Sequence, residues 1–566
     1  MGRTGLSSVI TERVFQWWDY PLFVFLSIFS VWAIFSLLLH WFSLADWAAR
    51  PISFSIMTVI LLVILANNQG RWFLLPFMRK PRPMPARPGW KVAVVTTFVP
   101  AAEPLEMLED TLKALAGQDY PHDTWVLDEG NDEKVKALCA RLGVRHFSRK
   151  KFPQYQTGEG TFQSASKHGN YNAWLYEVGF EAYDIISTFD PDHAPDSDFL
   201  CHVLGYFDDE KVAYVQVAQT YYNQKASFIA RGAAEETYAY YSSVQTASYG
   251  MGYPVIVGCH NTHRVAALKQ VGGLAAHDAE DLLLTLQYQA SGWNGIYVPQ
   301  ILARGLTPVD WASYLRQQRR WARSVLDIKL RHYSKLSKGL SFPGRLMSFL
   351  HGLNYLHRAG MIFLGFFLIS FVLATGRVPS VVSYLTIQKL VVLWAVLQVC
   401  EFYRQRFYLD WPNECGFHWR VALLQYAKWP WFLFALLDVL LNKQKPYVLT
   451  PKVKSKSRKR LLLLPNLLVI VLLCSAWVVG WILERNIHPL VYLCAAMLLI
   501  ASAILIWTDF WEYPPPYQRE LRSNQTPECD HRSSRQEIGV PFASYHKTPA
   551  DEWRNEVPEL PRRKAP

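Results

Sequence analysis

Charge is what this sequence has least of. Charged side chains make up 18% of its 566 residues, against about 25% in an average soluble chain. Hydrophobic residues fill 51% and aromatic residues 14%, and this replacement of charge by apolar surface points to a membrane. No two of the eight cysteines have CxxC spacing, which argues against a zinc ribbon or a dithiol redox motif. Cys400, Cys474 and Cys494 stand in apolar runs and read as packing thiols. Acidic residues are the scarcer sign: 46 Asp and Glu against 58 Lys and Arg leave a net charge of +12. Such an excess suits nucleic acid, anionic lipid or an anionic substrate, and its position along the chain decides among them.

What is present first is long apolar runs. Residues 21–42 are uncharged apart from His40 and long enough to span a bilayer, which needs about 20 such residues. A second run follows at 53–65 and extends toward Leu75. The first run is too long for a signal-peptide core and a second follows closely, so it reads as a retained anchor. Further spans are expected near 361–373, 384–399, 461–483 and 489–507, about six in all. Residues 419–441 are apolar and aromatic but carry Arg420, Lys428, Asp438 and an internal Pro430. Charge at the bilayer centre is costly, so this stretch is expected to lie in the interface as an amphipathic helix.

The basic residues cluster beside the spans. Arg71, Arg79, Lys80, Arg82, Arg87 and Lys91 flank the second, and Lys452, Lys454, Lys456, Arg458, Lys459 and Arg460 precede the fifth. The loops on the other side are short and nearly neutral. This asymmetry places both termini and the central domain in the cytoplasm of a multi-pass protein of the inner (plasma) membrane. It also makes the lipid surface, rather than nucleic acid, the partner of the positive charge.

Between residues 89 and 345 the pattern changes to alternating strands and helices. Val92–Phe98 is a continuous β-branched apolar run, as buried parallel strands are. Helices are expected at 105–115, 134–142 and 170–183, and strands at 124–127, 144–147 and 184–189. The alternation implies an α/β domain with a mostly parallel sheet. Asp128 and Asp190 each close a strand, where such sheets bind ligands. Asp190 and Asp192 stand two apart after a strand and can converge on one hard cation such as Mg2+ or Mn2+. A diphosphate leaving group would need that charge. Gln317, Arg320 and Trp321 share one helical face, with a flat ring for a sugar and a guanidinium for phosphate.

In chain order the series is Asp128-Glu129-Gly130, Lys167-His168-Gly169-Asn170, Asp190-x-Asp192, Ala279-Glu280-Asp281 and Gln317-Gln318-Arg319-Arg320-Trp321. This series resembles the processive family 2 glycosyltransferases, whose marks are D, DxD, (T)ED and QxxRW, with Ala279 where many members have Thr. The resemblance implies a GT-A-type α/β domain set in an α-helical transmembrane domain. It casts Asp281 as the catalytic base that takes the proton from the attacking sugar hydroxyl. Asp128, Lys167, Asp190, Arg320, Thr97 and Glu103 would bind the nucleotide sugar, and Asp192 the metal. Gln317, Trp321 and Cys259 would meet the acceptor.

The segment Pro446-Tyr447-Val448-Leu449-Thr450-Pro451-Lys452 resembles the FxVTxK gating loop of bacterial cellulose synthases. Tyr447, Thr450 and Lys452 would then cover the bound nucleotide and exclude water. The expected domains are residues 1–88 (two spans), 89–345 (the transferase domain), 346–512 (four spans, interfacial helix and loop 445–456) and 513–566 (a disordered tail). No PilZ-type domain is expected.

Taken together, the resemblance implies a synthase that polymerises UDP-glucose into a β-glucan and exports it through its own spans. Asp-Pro-Asp-His at 190–193 looks like glucan synthases, while Arg320-Trp-Ala-Arg-Ser324 is similar to chitin-oligosaccharide synthases. A UDP-GlcNAc-using chitin- or hyaluronan-like synthase is therefore the alternative. A non-catalytic transporter or scaffold with a degenerate transferase domain is the reading of another class. Linkage, accessory export subunits and oligomeric state leave no mark in the sequence.

Overall fold

The computed structural model describes residues 9–43, 46–100, 102–443, 452, 462–511 and 513–523. The chain begins with two long helices, α1 (Tyr20–Ser43) and α2 (Pro51–Phe73), the second started by Pro at its first turn, where its missing N–H costs nothing. Both expose large apolar side chains such as Phe25, Ile28, Trp32, Val59 and Ile64 on one side while packing on the other. In water that surface is unfavourable, and in lipid it is not.

The central domain is built on a seven-stranded sheet. Its strands are β1 (Val92–Phe98), β2 (Asp123–Asp128), β3 (Arg145–Phe147), β4 (Ile185–Phe189), β5 (Val212–Val217), β6 (Asn261–Arg264) and β7 (Asn294–Val298), in spatial order β7-β5-β6-β4-β1-β2-β3. All pairings are parallel except the two made by β6. This is the GT-A-type arrangement, with the mostly parallel sheet that alternating strands and helices imply. The strands are buried on both faces, and one apolar cluster covers each face.

The helices that matter for the site are α3 (Leu105–Ala116), α4 (Lys167–Trp174), α5 (Glu280–Ala290) and α6 (Trp311–Asp327). Asp310 caps α6 by accepting from Ser313 N–H at 2.9 Å. Ser166 caps α4 by accepting from Gly169 N–H at 3.1 Å.

The remaining long helices are α7 (Leu353–Thr375), α8 (Tyr384–Gln405), α9 (Trp419–Leu440), α10 (Leu464–Ile482) and α11 (Pro489–Asp509). Among the described residues six helices are long and apolar enough to cross a membrane: α1, α2, α7, α8, α10 and α11. The helix α9 is not one of them. It packs along α6, and its charges are matched by the transferase domain: Arg420 with Glu235 at 3.0 Å, Lys428 with Glu236 at 2.8 Å and Asp438 with Arg319 at 2.7 Å.

One expectation fails. Residues 513–523, read from composition as disordered tail, are ordered against α3. Arg519 pairs with Asp110 at 2.8 Å, and Arg522 is buried where it donates to Thr111 Oγ1 at 3.2 Å. Polar composition here serves docking onto an acidic helix. The rest of that tail lies outside the described residues, as do Tyr447 and Thr450 of the expected gating loop.

Candidate active site

The carboxyl ends of β1 and β4 open onto one large cavity of about 1710 Å3. At one end it is lined by Thr97, Glu103, Glu129, Lys167, Asp190, Asp192, His193, Cys259, Glu280, Asp281 and Lys452. It continues past Gln317, Arg320 and Trp321, and reaches Arg71, Arg358, Trp394, Phe402 and Arg404 on the spans. Side chains far apart in sequence thus share one space.

Local chain geometry explains the donor end. The strand β4 stops at Phe189, and Asp190 and Asp192 follow in a turn closed by His193 N–H to Asp190 C=O at 3.0 Å. Asp190, Asp192 and His193 each place a ligand atom within 4.8 Å of the others. The two carboxylates suit a hard divalent cation with open positions. Lys452 Nζ lies 2.5 Å from Asp192 Oδ2. Burial would raise the Asp192 carboxyl, but Lys452 and His193 hold it well below the ordinary carboxylate range. Burial likewise opposes charge on Lys452, and Asp192 with Asp190 and Glu103 overcomes this and raises its pKa. Glu103 accepts from Val99 N–H at 2.8 Å. Burial pushes its pKa up to about 8, with Asp192 adding to the rise.

Lys167, in the first turn of α4, reaches Asp190 Oδ1 at 2.7 Å and Glu280 at 3.5 Å, and also donates to Gly258 C=O. Burial disfavours its charge, yet Asp190 and Glu280 lift its pKa well above the usual lysine range. The other side of the same peptide loop serves Asp281: Gly258 N–H donates to Asp281 Oδ2 at 2.7 Å, and Leu282 N–H to Oδ1 at 2.7 Å. Glu280 and Asp281 occupy the first turn of α5, where the helix N-terminus favours negative charge. Burial nevertheless pushes Glu280 up to about 7, against the pull of Lys167 and with Asp281 adding to the rise. The two carboxyls are thereby separated in function: Glu280 faces the lysine, and Asp281 is held by two backbone N–H groups at the cavity wall.

Gln317, Arg320 and Trp321 face the cavity from one side of α6, and the Trp321 ring is 37% exposed there. Cys259 is buried on the loop before β6, with His193 and His260 rather than with α6. Asp128 is the exception. Its side chain is fully buried and does not line the cavity. Oδ1 accepts from Gly130 N–H at 2.7 Å, and Oδ2 from Asp132 N–H at 2.6 Å and His146 at 3.1 Å. Asp128 therefore shapes the turn after β2.

Its neighbour Glu129 lines the cavity instead, held by Arg149 at 2.7 Å. Glu236 was also missed by sequence reasoning. It accepts from Tyr314 at 2.7 Å and from Lys428, where the cavity runs between α6 and α9. The only sequence sign of it is an acidic pair inside a helix otherwise rich in small and apolar residues.

The family described as "Glycosyltransferase like family 2" matches residues 92–324, the stretch holding the donor-end residues up to α6. The chain is 28% identical over 296 residues to the "Cellulose synthase catalytic subunit [UDP-forming]" of Xanthomonas axonopodis pv. citri, covering 50% of this chain and 38% of that protein. It is 29% identical over 284 residues to "Cellulose synthase 1" of Komagataeibacter xylinus, covering 48% of this chain and 17% of that protein. The chain thus spans well under half the length of these curated relatives. A solved mannosyltransferase, PcManGT of Pyrobaculum calidifontis in complex with GDP-Man and Mn2+, overlaps 70% of this chain and 99% of its own at 16% identity, with a TM-score of 0.45.

Proposed function

We propose that this chain is a processive, inverting β-glycosyltransferase of the cellulose-synthase-like family 2 kind, which its matches support. It polymerises UDP-glucose into a β-glucan and passes the product between its own spans. The observation that carries this reading is the continuity of the cavity, from Asp190, Asp192 and Asp281 past Trp321 to the span residues Trp394 and Phe402. A transferase that released each product would need no such path.

The donor diphosphate enters beside Lys167 and Asp190. Asp190 and Asp192 would hold Mg2+ or Mn2+, which when bound would neutralise charge on the leaving diphosphate. Asp281 accepts the proton of the acceptor hydroxyl as its oxygen bonds to the anomeric carbon. The bond from that carbon to the diphosphate oxygen breaks in the same displacement, so the electron pair leaves with UDP and the centre inverts. Trp321 supplies an apolar face for the acceptor ring, and Arg320 a cation at the phosphate side. Lys452 on Asp192 supports a role for its segment at the donor. The catalytic domain faces the cytoplasm in this reading, because UDP-sugars are supplied there.

The test is to supply the purified chain with each UDP-sugar and Mg2+ or Mn2+. Sedimentable polymer with UDP-glucose, digestible by a linkage-specific β-glucanase, is the expected result. Turnover with UDP-GlcNAc alone would remove the glucan reading. One observation favours a second reading, an acidic, hyaluronan-like product: Arg71, Arg358 and Arg404 all line the cavity at the spans. Polymer formed only when a UDP-uronic acid is added would establish it.

A further inference from the structure

Three buried side chains beside the donor end offer more chemistry than sugar transfer uses. His193, Cys259 and His260 are 3%, 1% and 0% exposed. One ring nitrogen of each histidine and the Cys259 sulfur lie within 4.8 Å of one another. The two imidazoles meet edge to face, with ring centroids 4.6 Å apart. His260 Nε2 is buried with no hydrogen-bond partner, and His193 Nδ1 has only the Asp192 carboxylate beside it. A buried polar atom left unpaired costs free energy and calls for an explanation.

The loop is built to hold this arrangement. His260 has φ of +56°, a backbone state that a non-glycine residue adopts at a cost. Gln216 Nε2 fixes the Cys259 carbonyl at 3.0 Å, and Cys259 N–H turns back onto Val257 C=O. Antiparallel pairing of β6 with β4 sets this loop against the turn that carries His193. His260 Nδ1 lies 3.5 Å from the Ala218 carbonyl, which leaves Nε2 as the ring atom that offers a lone pair to the cluster. Asp192 Oδ1 stands 3.4 Å from His193 Nδ1 and supplies a fourth donor. Two neutral imidazoles and a sulfur are a borderline-to-soft ligand set, unlike the oxygen set Mg2+ prefers.

We propose that His193, Cys259 and His260 form a second cation site, for a thiophilic divalent ion such as Zn2+ or Cd2+, next to the Mg2+ or Mn2+ position on Asp190 and Asp192. His193 and Cys259 line the cavity, so the ion enters from there and completes its shell with water or Asp192. On ligation the thiol proton passes to solvent and a metal–sulfur bond forms. Occupancy ties Cys259 and His193 to the wall and stops transfer, a consequence that rests on the transferase reading. The site itself does not.

The test uses the full-length chain, reduced, stripped with chelator and held in excess Mg2+. Cd2+ is titrated in, and the sulfur-to-cadmium absorption band is followed, with Mn2+ binding measured by EPR on the same preparations. One equivalent of Cd2+ is expected to develop the band. Cys259→Ser should abolish it, and His260→Gln should weaken Cd2+ binding at least tenfold, both variants still binding Mn2+. Absence of the band in the wild-type chain overturns the proposal. So does its persistence in Cys259→Ser, which would assign it to another cysteine. Unchanged affinity in His260→Gln overturns it too, because a lone thiol would then suffice, and this arm holds even if the cysteine variant fails to fold.

Discussion

The two ends of the cavity are built on opposite electrostatic terms. At the donor end Glu103, Asp190, Asp192, Glu280 and Asp281 crowd around Lys167 and Lys452. At the span end each acidic side chain has a basic partner: Glu235 with Arg420, Glu236 with Lys428 and Glu401 with Arg404. Trp321, Trp394, Phe402, Phe417 and Trp419 supply much of the remaining wall there. An excess of buried carboxylate is unfavourable until a cation or a protonated group joins it. Paired charges among aromatic faces form a wall along which a sugar chain can slide, since rings stack without strong polar capture. In the proposed function, one end takes a metal diphosphate and a proton, and the other releases a polymer.

The hardest blow to that contrast is Asp281→Asn. It removes the proposed proton acceptor and leaves the shape of the donor end. The expected result is a loss of about 10²–10⁴-fold in kcat with UDP affinity preserved. Retained turnover would transfer the base role to Glu280 or to solvent. Next in size is Asp192→Asn, which removes a cation ligand and the anchor of Lys452 together. Polymer synthesis should fall by about two orders of magnitude or more and lose its dependence on Mg2+ concentration. Lys452→Met works in the opposite direction on the metal. With the ammonium gone from Asp192, Mn2+ should bind more tightly to the donor-free chain, by EPR titration, while kcat falls. Weaker Mn2+ binding would show that the lysine does not compete for this position.

Much of the donor end was legible because strands advertise their ends. The β-branched run Val92–Phe98 and the shorter run before Asp190 fixed where β1 and β4 stop, and parallel sheets put ligands there. The same signal does not say which way the Asp128 side chain turns. A carboxylate after a strand can face a ligand or cap its own turn, and only the N–H groups of Gly130 and Asp132 decide. The unusual character of α9 was visible in Arg420, Lys428 and Asp438, but their partners were not. Glu235, Glu236 and Arg319 lie 185, 192 and 119 residues away in the chain. The His193–Cys259–His260 cluster was hidden for the same reason, since it depends on the register of β6 against β4. Periodicity reports an element's own faces and says nothing of what another element brings to them.

A smaller effect tests the span end. Trp321→Ala removes an exposed ring from the cavity wall on α6. The expected result is a rise of about tenfold in the acceptor requirement and shorter polymer, with the donor KM little changed. Equal weakening of both substrates would mean that the ring supports the fold of α6 rather than the acceptor.

The smallest expected effect is on stability, and it returns to the crowded carboxylates. Glu280 is pushed from 4.5 up to about 7, mainly by burial. A raised carboxyl pKa means that the folded chain binds more protons than the unfolded one between those two values. Stability is therefore full below about pH 4.5 and declines as pH rises to about 7, after which the loss is complete. At about 1.4 kcal/mol per pH unit across that window, the loss is on the order of 3 kcal/mol at most, before a bound cation offsets it. Glu280→Gln keeps the shape and removes the titration. The difference in apparent Tm between this variant and the wild-type chain, measured in detergent without metal, should grow across that pH window and stay constant above it. A difference independent of pH would show that Lys167 keeps Glu280 ionised throughout, and that the donor end is more evenly paired than its carboxylates suggest.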